Sequence, residues 1–291
     1  MANSVNTNYG ATVALQSLNK TNRELDVVQK RVSTGMRVSD AKDDGASFAV
    51  AQGLRADVKG NEAVNERLSV AKGLLAVTQE ALKGVSDTVG EIRKVVVKLA
   101  DSSLSTDERA QYENDYLALT KDITKYVDQS KFGGISLLDS STATSIISDA
   151  TGGTISLTEK EIGNGSATGA MRGVIASTTD ALTKGLVDSA AKAQAMLGDT
   201  VGSTIELADF EKAVNDQLAA VGANMRTVEN QDNFIKVLGD TINDAIGSIV
   251  DADLAKESAK LQALQIRQQL GTQTLSIANQ SPSILVSLFQ G

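Results

Sequence analysis

The chain has 291 residues, of which 41% are hydrophobic but only 3% aromatic, and it contains no Trp, Cys or His. The lack of Cys excludes disulfides and thiolate chemistry, and the lack of His removes the commonest general base and the commonest transition-metal ligand. A formal net charge of -8 opposes nucleic-acid binding, which needs a basic face.

The opening stretch MANSVNTNYGATVALQSLNK has no basic residue before Lys20 and no apolar h-region, so no secretory signal peptide is expected there. No window approaches the roughly 20 apolar residues of a membrane span. Leu15, Leu18, Leu25, Val28 and Val32 fall on one stripe, with Lys20, Arg23, Glu24, Lys30 and Arg31 mostly off it, which predicts a first helical arm. Ser33-Thr34-Gly35 reads as its stop, Gly supplying a left-handed cap. Residues 36–45 carry both charge signs and are too polar for a strand core. Their carboxylates Asp40, Asp43 and Asp44 fit a polar link better than a calcium site, because EF-hand spacing is absent.

A long helix is predicted next. Val64, Leu68, Ala71, Leu75, Thr78, Leu82, Val85, Val89, Ile92, Val96 and Leu99 keep a heptad in which only Thr78 is polar. Gly73, Gly84 and Gly90 each cost about 1 kcal/mol against Ala in such a helix, so burial of the seam must outweigh them. Residues 102–106 break the helix, and Ser105 with Glu108 forms a capping-box pair that starts another. Tyr112, Tyr116, Leu119, Ile123 and Tyr126 mark its core-facing side.

At Phe132-Gly133-Gly134 the period changes. Residues 135–137, 145–147 and 154–157 are short, β-branched and alternating, and Gly152-Gly153 is a hairpin turn signal. The stretch 140–169, rich in Ser, Thr and Gly, reads as a surface loop, with residues 142–168 a candidate for O-glycans. Helices resume near Asp180, a candidate N-cap, and run to about Leu197. Leu207, Val214, Val221, Val228, Ile235, Ile242 and Ile249 then lie seven apart without exception, with Phe210, Leu218, Met225, Leu238 and Ile246 in companion rows. The two ladders are each other's expected partners and span roughly 50 to 65 Å. In the last arm Leu254, Leu261 and Leu275 keep a period of seven, with Gln268 in the remaining place. Leu264 and Ala278 form the companion row, interrupted by Gly271. Pro282, the single proline, marks an expected helix end, followed by the apolar tail Ile284, Leu285, Val286, Leu288 and Phe289.

These residues resemble bacterial flagellin. Asn3 and Asn6 sit in an Asn/Thr-rich leader, and residues 32–46, VSTGMRVSDAKDDGA, are similar to the family signature LSTGxRxxxAxDDxA. The end is similar again in Asp251-Ala252-Asp253-Leu254-Ala255, Glu257, Gln265, Gln268, Leu270, Leu275, Ala278-Asn279-Gln280 and Pro282. The likeness covers both ends and their neighbouring helices but not residues 140–179.

The resemblance implies a mainly α fold: an elongated bundle of long coiled-coil-like helices with a small β-hairpin region, plus paired N- and C-terminal helical arms. It implies an inner, channel-lining domain made of residues 1–42 with 250–291, and a rod domain, 43–249, carrying a β-flap and variable surface region at 132–179. The implied role is a structural subunit of the extracellular flagellar filament, without cofactor, exported by the type III route, whose arms fold on assembly. Its implied partners are copies of itself, sister flagellins, junction and cap proteins, and an export chaperone on the C-terminal arm, with no nucleic acid and no membrane. The assembly seam would be Leu15, Leu18, Leu25, Val28 and Val32 against Leu254, Leu261, Leu264, Leu275 and Ala278. In many flagellins an innate immune receptor grips a stretch corresponding to residues 90–97. Glu91 here reverses an expected Arg and Val95 replaces an expected Leu, so weakened recognition is expected. Two alternatives share the amphipathic arms. One is the hook–filament junction protein. The other is a membrane-active secreted helical protein, which the lack of a basic helix face disfavours.

Overall fold

The computed structural model describes residues 8–138, 144–157, 187–198 and 207–290, with side chains described as far as residue 280. The Asp180 cap, the Asn3 and Asn6 leader, most of the 140–169 loop and the side chains of the apolar tail lie outside these residues. Six helices run among them: α1 Tyr9–Thr34, α2 Gly45–Leu99, α3 Thr106–Gln129, α4 Ala190–Leu197, α5 Leu207–Val250 and α6 Leu254–Gln290. Four short strands complete the described elements: β1 Lys131–Phe132, β2 Ile135–Ser136, β3 Thr144–Ile147 and β4 Thr154–Leu157. The fold is mainly α. The chain divides into two compact units, Lys59–Gly239 and a second made of Met1–Val58 with Asp240–Gly291.

In the Lys59–Gly239 unit the two ladders share one core. Leu68, Leu75, Leu82, Val89 and Val96 of α2 are buried with Leu207, Val214, Val221, Val228 and Ile235 of α5. The two helices run antiparallel, because Arg93 pairs with Glu211 while Lys72 pairs with Asp232. The one polar residue of the α2 ladder, Thr78, is buried and returns its hydroxyl proton to the Leu74 carbonyl at 2.8 Å. The α5 ladder leaves this core at its end. Ile242 and Ile249 are only half-buried and pack in the other unit, where Ile246 and Val250 occupy the buried row. A straight helix drifts about 20° per heptad against a strict seven-residue repeat, so a row that begins at Leu207 rotates off the seam within six heptads.

The predicted capping box is present: Ser105 Oγ accepts from Glu108 N, and the Glu108 carboxylate accepts from Ser105 N at 3.0 Å. Arg109 of α3 donates to the carbonyls of Leu99 and Asp101 at 2.8 and 2.9 Å, which satisfies acceptors left open at the end of α2. Tyr116 and Ile123 are fully buried, as expected for the α3 core face. Tyr112 and Leu119 are partly buried, and Tyr112 carries Lys98 Nζ 5.0 Å above its ring. Tyr126 departs from the expected core position and is 42% exposed. Its ring lies across Gly84, where an added Cβ would sit 2.9 Å from Tyr126 Cε1. Gly73 does the same for Phe132, with an added Cβ 2.7 Å from Cζ. Gly73 and Gly84, two of the three glycines that interrupt the α2 heptad, are therefore seats for rings that approach its backbone.

The strands form two separate antiparallel hairpins, β1-β2 and β3-β4. Gly133 and Gly134 turn the first with φ of 59° and 84°, a conformation that two consecutive non-glycine residues rarely adopt. In the second, Asp149 Oδ1 accepts from Thr151 N at 2.8 Å and Gly153 N at 2.9 Å. That hairpin is held on α5 by Gln231 Nε2, which donates to the Ser148 carbonyl at 2.7 Å.

Candidate assembly site

The second unit holds both chain ends. Helix α1 begins at Asn8, whose side chain caps it, and stops at Gly35 in the left-handed conformation, φ 72°. The residues after the cap are more ordered than a polar link requires. Met36 bridges Asp251, Arg37 N and Val38 N both donate to the Val250 carbonyl, and Ala252 N donates to the Gly35 carbonyl at 2.9 Å. Val38 is buried against Ala51, Ile246 and Val250, with Phe48 and Leu54 around it. The α5–α6 junction is thus pinned to the α1–α2 junction, and both arms leave from one small apolar knot.

The clustered carboxylates of the link stabilise its turns. Lys30 Nζ donates to both Asp40 and Asp43. Asp43 also accepts from Ser39 N at 3.1 Å and Ser39 Oγ at 3.0 Å, while Asp44 caps α2 through Ser47 and Ala46. The backbone N–H and then the hydroxyl of Ser39, with Lys30 assisting against some burial, hold the Asp43 carboxyl at about 2, below its ordinary 3.8. Asp40 is lowered chiefly by Lys30, and Asp44 by the Ser47 hydroxyl. A carboxyl whose pKa is depressed by folding stabilises the folded form above its unfolded pKa and loses that contribution as pH falls through the folded value. Filaments of the wild type are therefore expected to lose thermal stability between about pH 4 and pH 2. The gap between wild type and Asp43→Asn should be full at about pH 5 and close across that window. Melting curves by light scattering at several pH values measure this, and a gap that persists at pH 2 contradicts it.

Beyond the knot, α1 and α6 pair antiparallel. Arg31 meets Glu257 at 3.2 Å, Asn22 Oδ1 accepts from Gln268 Nε2 at 2.8 Å, and Leu18 lies against Gly271. The interruption of the α6 row at Gly271 is a seat: a Cβ there would fall 3.2 Å from Leu18 Cδ1. Among the expected seam residues Val28 and Leu264 are buried, and Leu18, Leu25, Val32, Leu261, Leu275 and Ala278 are half-buried. Two expected positions lie off the pairing. Leu15 is 46% exposed, because the α1 seam runs through Ala14, Leu18, Thr21, Leu25, Val28 and Val32, one residue out of phase with it. Leu254 is 49% exposed, since three residues before Glu257 the opposite helix has reached its last turn at Thr34. The expected helix end at Pro282 is also corrected, because α6 continues through it to Gln290.

The arm pair leaves several apolar side chains uncovered. Val13, Leu15 and Val27 of α1, and Ile266, Leu270 and Ile277 of α6, are exposed. No helix among the described residues is long and apolar enough to cross a membrane. Elsewhere, Glu91 is exposed and bonded to Lys94 at 2.6 Å, while Val95 lies partly buried at the edge of the α2 core.

Sequence reasoning missed Asp232. It is a buried carboxylate on the core side of α5, and both Lys72 and Lys236 donate to it. Burial alone would raise its pKa, but the two lysines outweigh that and hold it low. The available signal was a Lys four residues on, at the spacing of a helix ion pair.

A helical chain whose two ends pair with each other around a heptad seam, with apolar residues left outside the pair, is built as a coiled-coil structural subunit. Residues 5–143 match the bacterial flagellin N-terminal helical region, and residues 205–289 match the bacterial flagellin C-terminal helical region. Flagellin FljM of Caulobacter vibrioides is 36% identical over 289 residues, covering 99% of each chain. A flagellin of Brucella melitensis biotype 1 is 32% identical over 291 residues, again covering 99% of each. Among solved structures, Bacillus cereus flagellin is 19% identical, covers 58% of this chain and 88% of its own, and has a TM-score of 0.44. The chain belongs to the bacterial flagellin family. As a flagellin it is a structural subunit of the extracellular flagellar filament.

Proposed function

We propose that this chain polymerises through its two arms, residues 1–42 and 250–291, which line the filament channel while the rod, 43–249, packs outside them. The observation that carries this reading is the set of apolar side chains that the α1–α6 pair leaves uncovered: Ile266, Leu270 and Ile277 along one face of α6, Val13 and Val27 on one flank of α1, and Leu15 on its other flank. Exposed apolar rows on a helix pair mark interaction faces. Identical copies stacked head to tail cover them without closing into a ring, and a helical polymer results. Leu15 and Leu254, which the pair inside one chain leaves out, then act between chains. The filament turns to drive swimming, and subunits reach its tip through the type III export channel. Sister flagellins, junction and cap proteins and a chaperone on α6 complete the set of partners.

Negative-stain microscopy of the purified chain at high concentration tests the reading. Long helical filaments of uniform width are expected, and a chain that stays monomeric at millimolar concentration contradicts it.

The reversed charge at Glu91 is proposed to weaken the immune receptor that grips this stretch in other flagellins. Like-charge juxtaposition at an interface costs several kcal/mol, so signalling in a receptor reporter cell should fall at least tenfold and recover in Glu91→Arg. Full signalling by the wild type overturns it.

A further inference from the structure

Asn8 uses both ends of its side-chain amide. Oδ1 accepts from Ala11 N at 3.0 Å and caps α1. Nδ2 donates across to the Ala278 carbonyl of α6 at 2.7 Å. Ala278 stands four residues before Pro282, and α6 continues through that proline. In an α-helix each carbonyl takes its proton from the N–H four residues on, and proline has none to give. The carbonyl of Ala278 is therefore deprived of its helical donor by the sequence itself, and a residue 270 positions away supplies the replacement.

We propose that Asn8 is the register pin of the arm pair, setting the stagger of α1 on α6 by matching one capping amide to the one interior carbonyl that Pro282 frees. This rests on the filament reading above. A heptad seam by itself tolerates a slip of seven residues, because every core position then meets another core position. The seam here is weak in shape information, since it presents Ala14 and Thr21 on α1 and Gln268 and Gly271 on α6. The freed carbonyl is different in kind. The chain has one proline, so it has one such carbonyl. A slip of one heptad brings Asn8 opposite Gly271, whose carbonyl sits in uninterrupted helix and is already bonded. The slipped pair leaves the Ala278 carbonyl without its donor, and only one stagger satisfies both groups. Gln268 with Asn22, and Arg31 with Glu257, reinforce that stagger further along. The proline thereby acts as a landmark in α6 rather than as its end.

The test is a four-protein cycle: wild type, Asn8→Ser, Pro282→Ala and the double variant. Serine keeps an oxygen that can cap α1 and loses the amide Nδ2 that reaches the Ala278 carbonyl, which its shorter hydroxyl cannot replace while it caps. Pro282→Ala returns a helical N–H to the Ala278 carbonyl. In the Pro282 background, Asn8→Ser is expected to raise the critical concentration for polymerisation about three- to tenfold, the worth of one net hydrogen bond. In the Pro282→Ala background the same change should raise it less than about twofold. Equal effects in both backgrounds, or no effect in the first, overturn the pin. A wild type that does not polymerise defeats the filament reading instead, and the pin is then read from a disulfide. An added Cβ at Gly271 falls 3.9 Å from Leu18 Cβ, within the span of a disulfide, and the chain has no other cysteine. In L18C/G271C, Asn8→Ser should slow disulfide formation when Pro282 is present and not when it is alanine. Equal rates overturn the pin by this route.

Discussion

Leu264→Asp is expected to abolish filament growth while leaving the melting temperature of the Lys59–Gly239 unit within about 1–2 °C of wild type. Leu264 and Val28 are the two nearly fully buried apolar side chains that the arms contribute to their own pairing. A carboxylate at that place loses the burial of leucine, about 1.5 to 3 kcal/mol, and adds the desolvation of an unpaired charge. The cations at helical spacing from it, Lys260 and Arg267, are exposed and face away from the buried row. Every subunit in a filament repeats the defect, so a loss of several kcal/mol per copy should raise the critical concentration at least a hundredfold. Sedimentation gives the assembly result and circular dichroism the melting result. Filaments at normal yield contradict the arm account. Leu15→Asp is the companion variant: Leu15 lies off the buried row of the arm pair, yet its substitution should block growth as well if neighbours cover it.

Phe210→Ala should have the opposite pattern. Phe210 is 2% exposed in the core that α2 and α5 share. Truncating a buried Phe costs about 3–5 kcal/mol, because the cavity adds to the lost transfer term. For a unit of this size that corresponds to a fall in melting temperature on the order of 10 °C. At low temperature the arms are intact, and filaments should still form. A melting temperature that does not move, or a failure to assemble in the cold, contradicts the separation of the two units.

The pattern of success in reading the chain follows from the range of each interaction. The α2 ladder, the Ser105–Glu108 box and the α6 row from Leu261 to Ala278 were legible because each is set by residues within a turn or two. Even the imperfections of the α6 row have a use that only the partner helix reveals: Gln268 bonds Asn22, and Gly271 seats Leu18. The errors come from interactions that the local pattern does not contain. A strict repeat placed Ile242 and Ile249 in the rod core, but the accumulated rotation of α5 hands them to the other unit. The leucines of α1 drew the stripe through Leu15, whereas the buried row includes Ala14 and Thr21, which carry little hydrophobic signal. Tyr126 reads as core by spacing, yet the glycine it covers is on another helix. Pro282 reads as a stop by a rule that is correct for an isolated helix, and the donor that relieves it is at the far end of the chain. The strand Lys131–Phe132 was too short to register before its partner across Gly133 and Gly134 was known.

The central claim is that the arms gain their order from neighbouring copies. Helices α1 and α6 comprise 26 and 37 residues, and among their described side chains only Val28 and Leu264 are buried apolar groups. Ordering a backbone costs about 1–2 kcal/mol per residue, which two such contacts and a half-buried seam do not offset. Hydrogen exchange on the dilute chain and on the filament measures this directly. The account predicts fast exchange along both arms at high dilution, strong protection of both in the filament, and a Lys59–Gly239 unit protected in each. Slow exchange along α1 and α6 in the dilute chain would contradict it.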